Sequence, residues 1–366
     1  MDGNLIMKKN IIIDARMVNE ELHGIGRYTY ELVKGLINDE RFNVKLLVND
    51  EILAKKIFGN KNVEFIIINS KFLSISEIVE IPIKINKFKD HIYYTPSFSC
   101  SPFIKLKSYI TLHDLNHLAL PEYYSKFHSL YYKFIVKPFS NRCEKIFTVS
   151  NFSKKEILNW LNCKEEKIVV TYNGIDEKFK PINDLEILNS IKEKYNLPEK
   201  FVLYIGNQKP HKNLETLLKA MVNVNCKLIV NGKACERISN LIKTLNIEEK
   251  IKFIGYVDDG DLPVLYNLAS VFVFPSLYEG FGLPPLEAMS CGCKTIVSNS
   301  TCLPEVVLDG ANVVNVLDID KYSKKINILL DGKEYYDINK GINIAKNYKW
   351  NKTIKQTTDC IYELNR

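Results

Sequence analysis

Long apolar runs are missing from this chain. The stretches at residues 11–13, 65–68 and 271–274 are each broken within a few positions, far short of the ~20 residues that span a bilayer. The N-terminal stretch carries Asp2, Lys8, Lys9 and Asp14 and has no apolar core of signal-peptide length. The expectation is therefore a cytoplasmic protein, with at most peripheral contact at the inner face of the cytoplasmic membrane. The nine cysteines contain no C-x-x-C, and only Cys291 and Cys293 lie close together. Buried reduced thiols are expected rather than a disulfide frame or a zinc site. Metal-ligand spacing is also absent. His113 and His117 lie four apart without a third ligand, and the D-x-D spacings at Asp258-Asp259-Gly260-Asp261 and Asp318-Ile319-Asp320 read as turn caps. No G-x-x-x-x-G-K-[ST] loop, no G-x-S-x-G elbow and no repeat of 20–50 residues occurs. The basic excess is only +7, too small for nucleic-acid binding as the main function.

What the chain does have is an alternation. Its 366 residues suggest two domains. Short apolar segments at residues 10–14, 44–48, 63–68, 91–94, 109–112, 145–149 and 167–171 read as strands, with a helical pattern at 28–37. A second series of strands follows at 201–205, 227–230, 251–254, 271–274 and 294–297, separated by helical patterns at 214–222, 235–245, 262–269 and 285–291. This rhythm predicts α/β architecture with parallel sheets covered on both faces. The break between the halves falls in residues 172–198, and residues 351–364 read as a last helix.

Four segments can carry chemistry. In the first, a strand ends at Phe274, Glu279-Gly280-Phe281-Gly282-Leu283 follows, and Pro284 or Pro285 opens a helix that Gly292 ends. Glycines before a helix N-terminus expose amides and favour an anion such as a diphosphate. Glu287, placed about N3 of that helix, either binds ribose hydroxyls or acts as a capping-box partner. Glu279 either faces a transferred sugar or is a surface loop residue. In the second, Asn207, Lys209 and Lys212 follow a strand, where α/β folds place ligands, and Asn213 can cap the next helix. Lys212 reads as a diphosphate ligand or as a solvated lysine. In the third, Gly24-Ile25-Gly26-Arg27-Tyr28 offers backbone amides near a substrate. The long gap over residues 15–23 and Thr29 at the sixth position exclude a nicotinamide fingerprint. In the fourth, a short strand delivers His113, as a structural or a functional ring, with Asp114 to orient it or cap a helix.

Residues 101–155 hold Lys105, Lys107, Lys126, Lys133, Lys137, Arg142, Lys145, Lys154 and Lys155 against Asp114, Glu122 and Glu144, a net of +6. They interleave with Tyr123, Tyr124, Phe127, Tyr131, Tyr132 and Phe134. The stretch suits either a solvated helical face or an anionic lipid interface.

Taken together, these segments resemble the retaining glycosyltransferases of family 4, which have the GT-B fold. Glu279 to Glu287 matches that family's E-x7-E motif. Gly24–Tyr28, Thr111–Asp114, residues 148–153, residues 172–176, residues 209–214 and residues 253–257 resemble its other segments in order. The resemblance implies two Rossmann-like domains facing a cleft. The first covers residues 1–175, binds the acceptor and is completed by the helix at 351–366. The second covers residues 176–350 and holds a nucleotide sugar. By the same resemblance Glu287 binds the donor ribose, Glu279 the donor sugar, and Gly280, Phe281, Gly282 and Leu283 the diphosphate. Lys212 neutralises the leaving group, His113 contacts the sugar or the reacting centre, Tyr256 lies in the base-binding loop, and no metal or other cofactor is required. Two departures stand out: Asn207 and His211 occupy positions where many relatives carry arginine, leaving Lys209 to supply charge. The wording from Gly282 to Met289 resembles bacterial mannosyltransferases of polysaccharide assembly. That implies GDP-mannose as donor and a glycan or lipid-linked acceptor. A UDP-sugar or deoxysugar nucleotide, or a non-catalytic nucleotide-sugar-binding protein, are the alternatives.

Overall fold

A computed structural model describes residues 8–19, 24–59 and 63–364. Parts of the N-terminal stretch and of the gap at residues 15–23 lie outside these residues. The chain forms two compact units. One comprises the chain up to Gly174 together with the segment from Trp350 onward, and the other is Ile175–Lys349.

The first unit is built on seven parallel strands: β1 (Lys9–Asp14), β2 (Phe42–Val48), β3 (Glu64–Ile67), β4 (Ile92–Thr95), β5 (Lys107–Thr111), β6 (Lys145–Thr148) and β7 (Ile168–Val170), in the order β3-β2-β1-β4-β5-β6-β7. Ile11 pairs with Val44 on one side and Ile92 on the other. Ile11, Ile12 and Ile13 are wholly buried, as expected of a central strand covered on both faces. The helix Ile25–Ile37 follows β1, and the helix Trp350–Glu363 returns to pack against it. The fit is close: a Cβ on Gly35 would collide with the Ile354 side chain. Arg41 clamps the returning helix through Asp359 at 2.8 Å and Thr358 at 3.1 Å.

At the carboxyl end of β1 lies a buried polar knot. Arg16 makes a two-pronged contact with Asp14 at 2.8 and 2.7 Å and reaches Glu77 and Ser99 at 2.9 Å each. Burial raises the Glu77 carboxyl, and Arg16 opposes that shift. Nothing in the sequence pattern marks these residues as partners.

The second unit holds six parallel strands: β8 (Phe201–Tyr204), β9 (Lys227–Val230), β10 (Ile251–Phe253), β11 (Val271–Phe274), β12 (Thr295–Ser298) and β13 (Asn312–Val314), in the order β10-β9-β8-β11-β12-β13. Strand order reverses between β8 and β11, and the crevice beyond their carboxyl ends is where such sheets bind ligands. Both units are thus Rossmann-like α/β sheets. All nine cysteines are free. Among the described residues no helix is long and apolar enough to cross a membrane.

Candidate active site at the second switch point

The loops after β8 and β11 are laced together. The Leu277 amide donates to the His211 carbonyl at 2.7 Å, and Ser276 Oγ donates to the same carbonyl at 3.0 Å. Asn213 sits at the start of the helix Leu214–Met221, but its side chain makes no cap there. It spans the loops instead, donating to the carbonyls of Pro275 at 3.0 Å and Val316 at 3.2 Å. This scaffold brings Lys212 and Glu279 together: Nζ lies 2.6 Å from Oε1. Both side chains are mostly buried, and Lys212 also lies over the Phe274 ring, 5.7 Å from its centroid.

Glu279 is held from behind by residues the sequence did not single out. Its amide donates to Thr301 Oγ1 at 3.1 Å, and Cys302 Sγ donates to the carbonyls of Glu279 at 3.2 Å and Phe281 at 3.1 Å. Thr301 adopts φ 53°, a left-handed conformation that β-branched residues rarely occupy. A threonine–cysteine dipeptide carries no sequence signal for this role.

Gly282 turns the chain into the helix Leu283–Ser290 with φ 97°, and a Cβ there would lie 2.6 Å from Leu303. Only glycine meets both demands. Because the helix starts at Leu283, Glu287 lies in its second turn rather than at N3, and the preceding Gly282 has no side chain for a capping box. Glu287 accepts from the Tyr266 hydroxyl at 3.1 Å. Burial and the neighbouring Glu287 carboxylate hold that hydroxyl well above its ordinary pKa, so it remains a donor.

The other positions are spread along the same strand ends. Asn207 and Lys209 are exposed, and Asn207 Oδ1 accepts from the Lys209 amide at 3.1 Å. Lys212, not Lys209, reaches Glu279. Arg237, unnoticed in the sequence, donates to the Gln208 carbonyl at 2.5 Å and pairs with Glu215. Tyr256 is exposed beyond β10, on a loop tied to the β9 loop by reciprocal Gly232–Gly255 bonds of 2.6 and 3.1 Å. Asp258 and Asp261 pair with Lys194, and Asp259 pairs with Lys178. Asp318 caps the helix Ile319–Asp331. Among the described residues no group of three or more His, Cys, Asp or Glu side chains is placed to hold a metal.

In the first unit, Gly24 precedes the helix Ile25–Ile37 with φ 53°, and Gly26 is buried with its Cβ position 2.9 Å from the Met17 carbonyl oxygen. Gly26 therefore has a packing reason of its own. His113 Nε2 lies 3.0 Å from the Pro96 carbonyl and its ring meets Tyr28 edge-on at 4.7 Å. A carbonyl only accepts, so Nε2 carries the hydrogen and Nδ1 is left as an acceptor. Asp114 accepts from the Asn116 amide at 3.0 Å, just ahead of the short helix Asn116–Ala119, whose N-cap position is Leu115.

Burial pushes the His113 pKa down to about 4, against the Pro96 contact. Burial and Lys212 push His211 down to about 4 as well. His211 Nδ1 is buried without a hydrogen-bond partner. Both rings are neutral in the native state at neutral pH. The unfolded chain takes up protons below about 6.5 that the native chain refuses until about 4, so stability is complete above this window and falls as pH drops through it. Urea midpoints should decline from pH ~7 to ~5 more steeply for the wild type than for His113→Gln/His211→Gln. Equal slopes would contradict the assignment.

Comparison with known proteins agrees with this architecture. A glycosyltransferase structure from Rickettsia africae matches with a TM-score of 0.74 at 21% identity, covering 98% of each chain. The two parallel-sheet units define the GT-B fold of glycosyltransferases. The family model for glycosyl transferases group 1 matches residues 188–343, and that for Glycosyltransferase Family 4 matches residues 22–179. O-antigen chain mannosyltransferase B of Escherichia coli is 32% identical over 374 residues, 95% of this chain and 98% of that one. O-antigen chain mannosyltransferase RfbU of Salmonella typhimurium is 32% identical over 222 residues, 59% of each. The chain belongs to glycosyltransferase family 4.

Proposed function

We propose that this glycosyltransferase moves a mannosyl unit from GDP-mannose onto a glycan acceptor during assembly of a surface polysaccharide, with retention at the anomeric carbon and without a metal. The observation that carries this reading is the Lys212–Glu279 pair, 2.6 Å apart beside the glycine-led helix at the β8/β11 switch point. The mannosyl assignment leans on the likeness to O-antigen chain mannosyltransferase B across nearly the whole chain.

In this reading the second unit binds the donor and the first unit the acceptor. The Lys212 ammonium has three donors, enough to hold Glu279 and a phosphate oxygen at once. Amides of Gly280, Phe281, Gly282 and Leu283 at the helix N-terminus add partial positive charge where the leaving diphosphate develops its own. Glu287, braced by Tyr266, accepts from ribose hydroxyls. Glu279 accepts from sugar hydroxyls; within the first unit, neutral His113 keeps Nδ1 as an acceptor. The anomeric carbon–phosphate oxygen bond breaks and the bond to the acceptor oxygen forms on the same face. The acceptor proton passes to the departing phosphate oxygen.

A thermal-shift series with GDP, UDP, dTDP and their sugars tests the donor, because a ligand that binds only the native state raises the melting temperature. GDP-mannose should give the largest rise. A larger rise with a UDP-sugar would replace the donor assignment, and no rise with any nucleotide would favour a different role. Turnover should persist after divalent ions are removed and chelator is added. Activity that returns only with Mg²⁺ or Mn²⁺ would overturn metal independence. Proton NMR of the product should show an α-linkage.

A further inference from the structure

We propose that the first unit docks onto an anionic lipid bilayer through three neighbouring segments: the helix Glu77–Ile85 with the turn before it, the loop around Phe103, and the helical stretch that runs from Lys126 to Arg142. This goes beyond sugar transfer and does not depend on the identity of the donor.

Each segment turns large apolar side chains outward. Ile75, Val79 and Ile83, spaced four apart, are 55–72% exposed. Phe103 is 60% exposed, and Phe127, Leu130 and Phe134 are 51–69% exposed. The segments adjoin one another. Ser101 Oγ donates to the Ile78 carbonyl at 2.6 Å, Asn86 donates to the Phe103 carbonyl at 3.0 Å, and the Tyr131 hydroxyl lies 3.5 Å from Glu77. Single exposed apolar residues are ordinary, but a cluster of this kind marks an interaction surface.

Charge decides the partner. Lys71, Lys105, Lys126 and Lys133 are exposed on these segments, and Lys133 lies over the Phe134 ring at 5.3 Å. Two acids of the same region are already engaged. Glu77 is buried on Arg16, and Glu80 accepts from the amides of Asn69 and Ser70. No Asp or Glu occurs between Tyr123 and Cys143. Aromatic and aliphatic side chains rimmed by unopposed lysines match a bilayer interface bearing anionic headgroups. Lys137, which the sequence pattern grouped with these lysines, is not part of the surface: its Nζ donates to the Trp160 carbonyl at 2.6 Å.

Co-sedimentation of the full chain with vesicles of phosphatidylglycerol and phosphatidylcholine, against phosphatidylcholine alone, tests the proposal. Binding should require phosphatidylglycerol and fall as salt rises from about 0.1 M to about 1 M, where screening shortens from ~10 Å to ~3 Å. Lys126→Glu/Lys133→Glu should weaken binding by roughly 30-fold, from about 1 kcal/mol per lysine. Val79→Ser/Ile83→Ser and Phe127→Ser/Phe134→Ser should weaken it at every salt concentration. These side chains are exposed, so melting temperatures and nucleotide binding should match the wild type. No binding to phosphatidylglycerol vesicles at low salt would overturn the proposal. So would a wild-type dimer that Phe127→Ser/Phe134→Ser dissociates while vesicles go unbound.

Discussion

Lys212→Ala is expected to weaken nucleoside diphosphate binding by about 1.5–3 kcal/mol, the scale of a charge-assisted hydrogen bond, and to lower kcat by about 10²–10³-fold, as loss of one transition-state charge partner does. The reason lies in the pair it breaks. Lys212 sits 2.6 Å from Glu279 in a mostly buried setting. In the proposed site its removal takes away the cation assigned to the diphosphate and also leaves the Glu279 carboxylate without its Lys212 partner. The two losses can be separated. Glu279→Gln in the Lys212→Ala background removes the repulsion and should recover part of the affinity but little of the turnover, a coupling that a double-mutant cycle measures. Calorimetry showing unchanged diphosphate affinity in Lys212→Ala would remove Lys212 from the site.

Glu287→Ala carries the second large effect, and it acts on two quantities. The Tyr266 hydroxyl is buried and donates to Glu287 at 3.1 Å. Losing that acceptor strands the hydroxyl, at a cost of about 1–3 kcal/mol of folding stability. Loss of the proposed ribose contacts should raise the donor KM by roughly tenfold or more, at about 1.5–3 kcal/mol for hydrogen bonds to a charged group. Tyr266→Phe separates the two, because it removes donor and stranded group together while leaving the carboxylate. It should be milder in stability and should raise KM with kcat nearly unchanged, the signature of lost uniform binding. A Glu287→Ala enzyme with the wild-type donor KM would assign Glu287 a structural role alone.

Where the sequence was legible, the physics was local. Strands buried on both faces need near-continuous apolar runs, and residues 11–13 and Val271–Phe274 have them. The edge strand Asn312–Val314 has three residues and begins with a polar one, so it carries no such run. The helix Glu77–Ile85 contains Pro82, which masks its periodicity. Glu287 was recognisable as a candidate but misplaced by two positions along the helix. The doubled proline suggested a later start than the left-handed Gly282 imposes. Lys212 and Glu279 were each recognisable from glycine and strand context. Their contact across 67 residues depends on β8 and β11 being neighbours in the sheet. The knot of Asp14, Arg16 and Glu77 and the brace of Thr301 and Cys302 had no signal at all, because each joins residues whose spacing in the chain means nothing before the sheet exists.

The helix Trp350–Glu363 that closes against Ile25–Ile37 also sets an order of assembly. The first unit lacks one wall until the whole of Ile175–Lys349 has been synthesised and has left the ribosome. The second unit is continuous in sequence and needs no residue from beyond its own span to complete its sheet. Closing the first unit means joining segments separated by the entire second one, a slow, long-range contact. During translation the second unit is therefore the first that can be completed. Until its last helix arrives, the earlier-made unit waits with the surface around Gly35 and Arg41 uncovered.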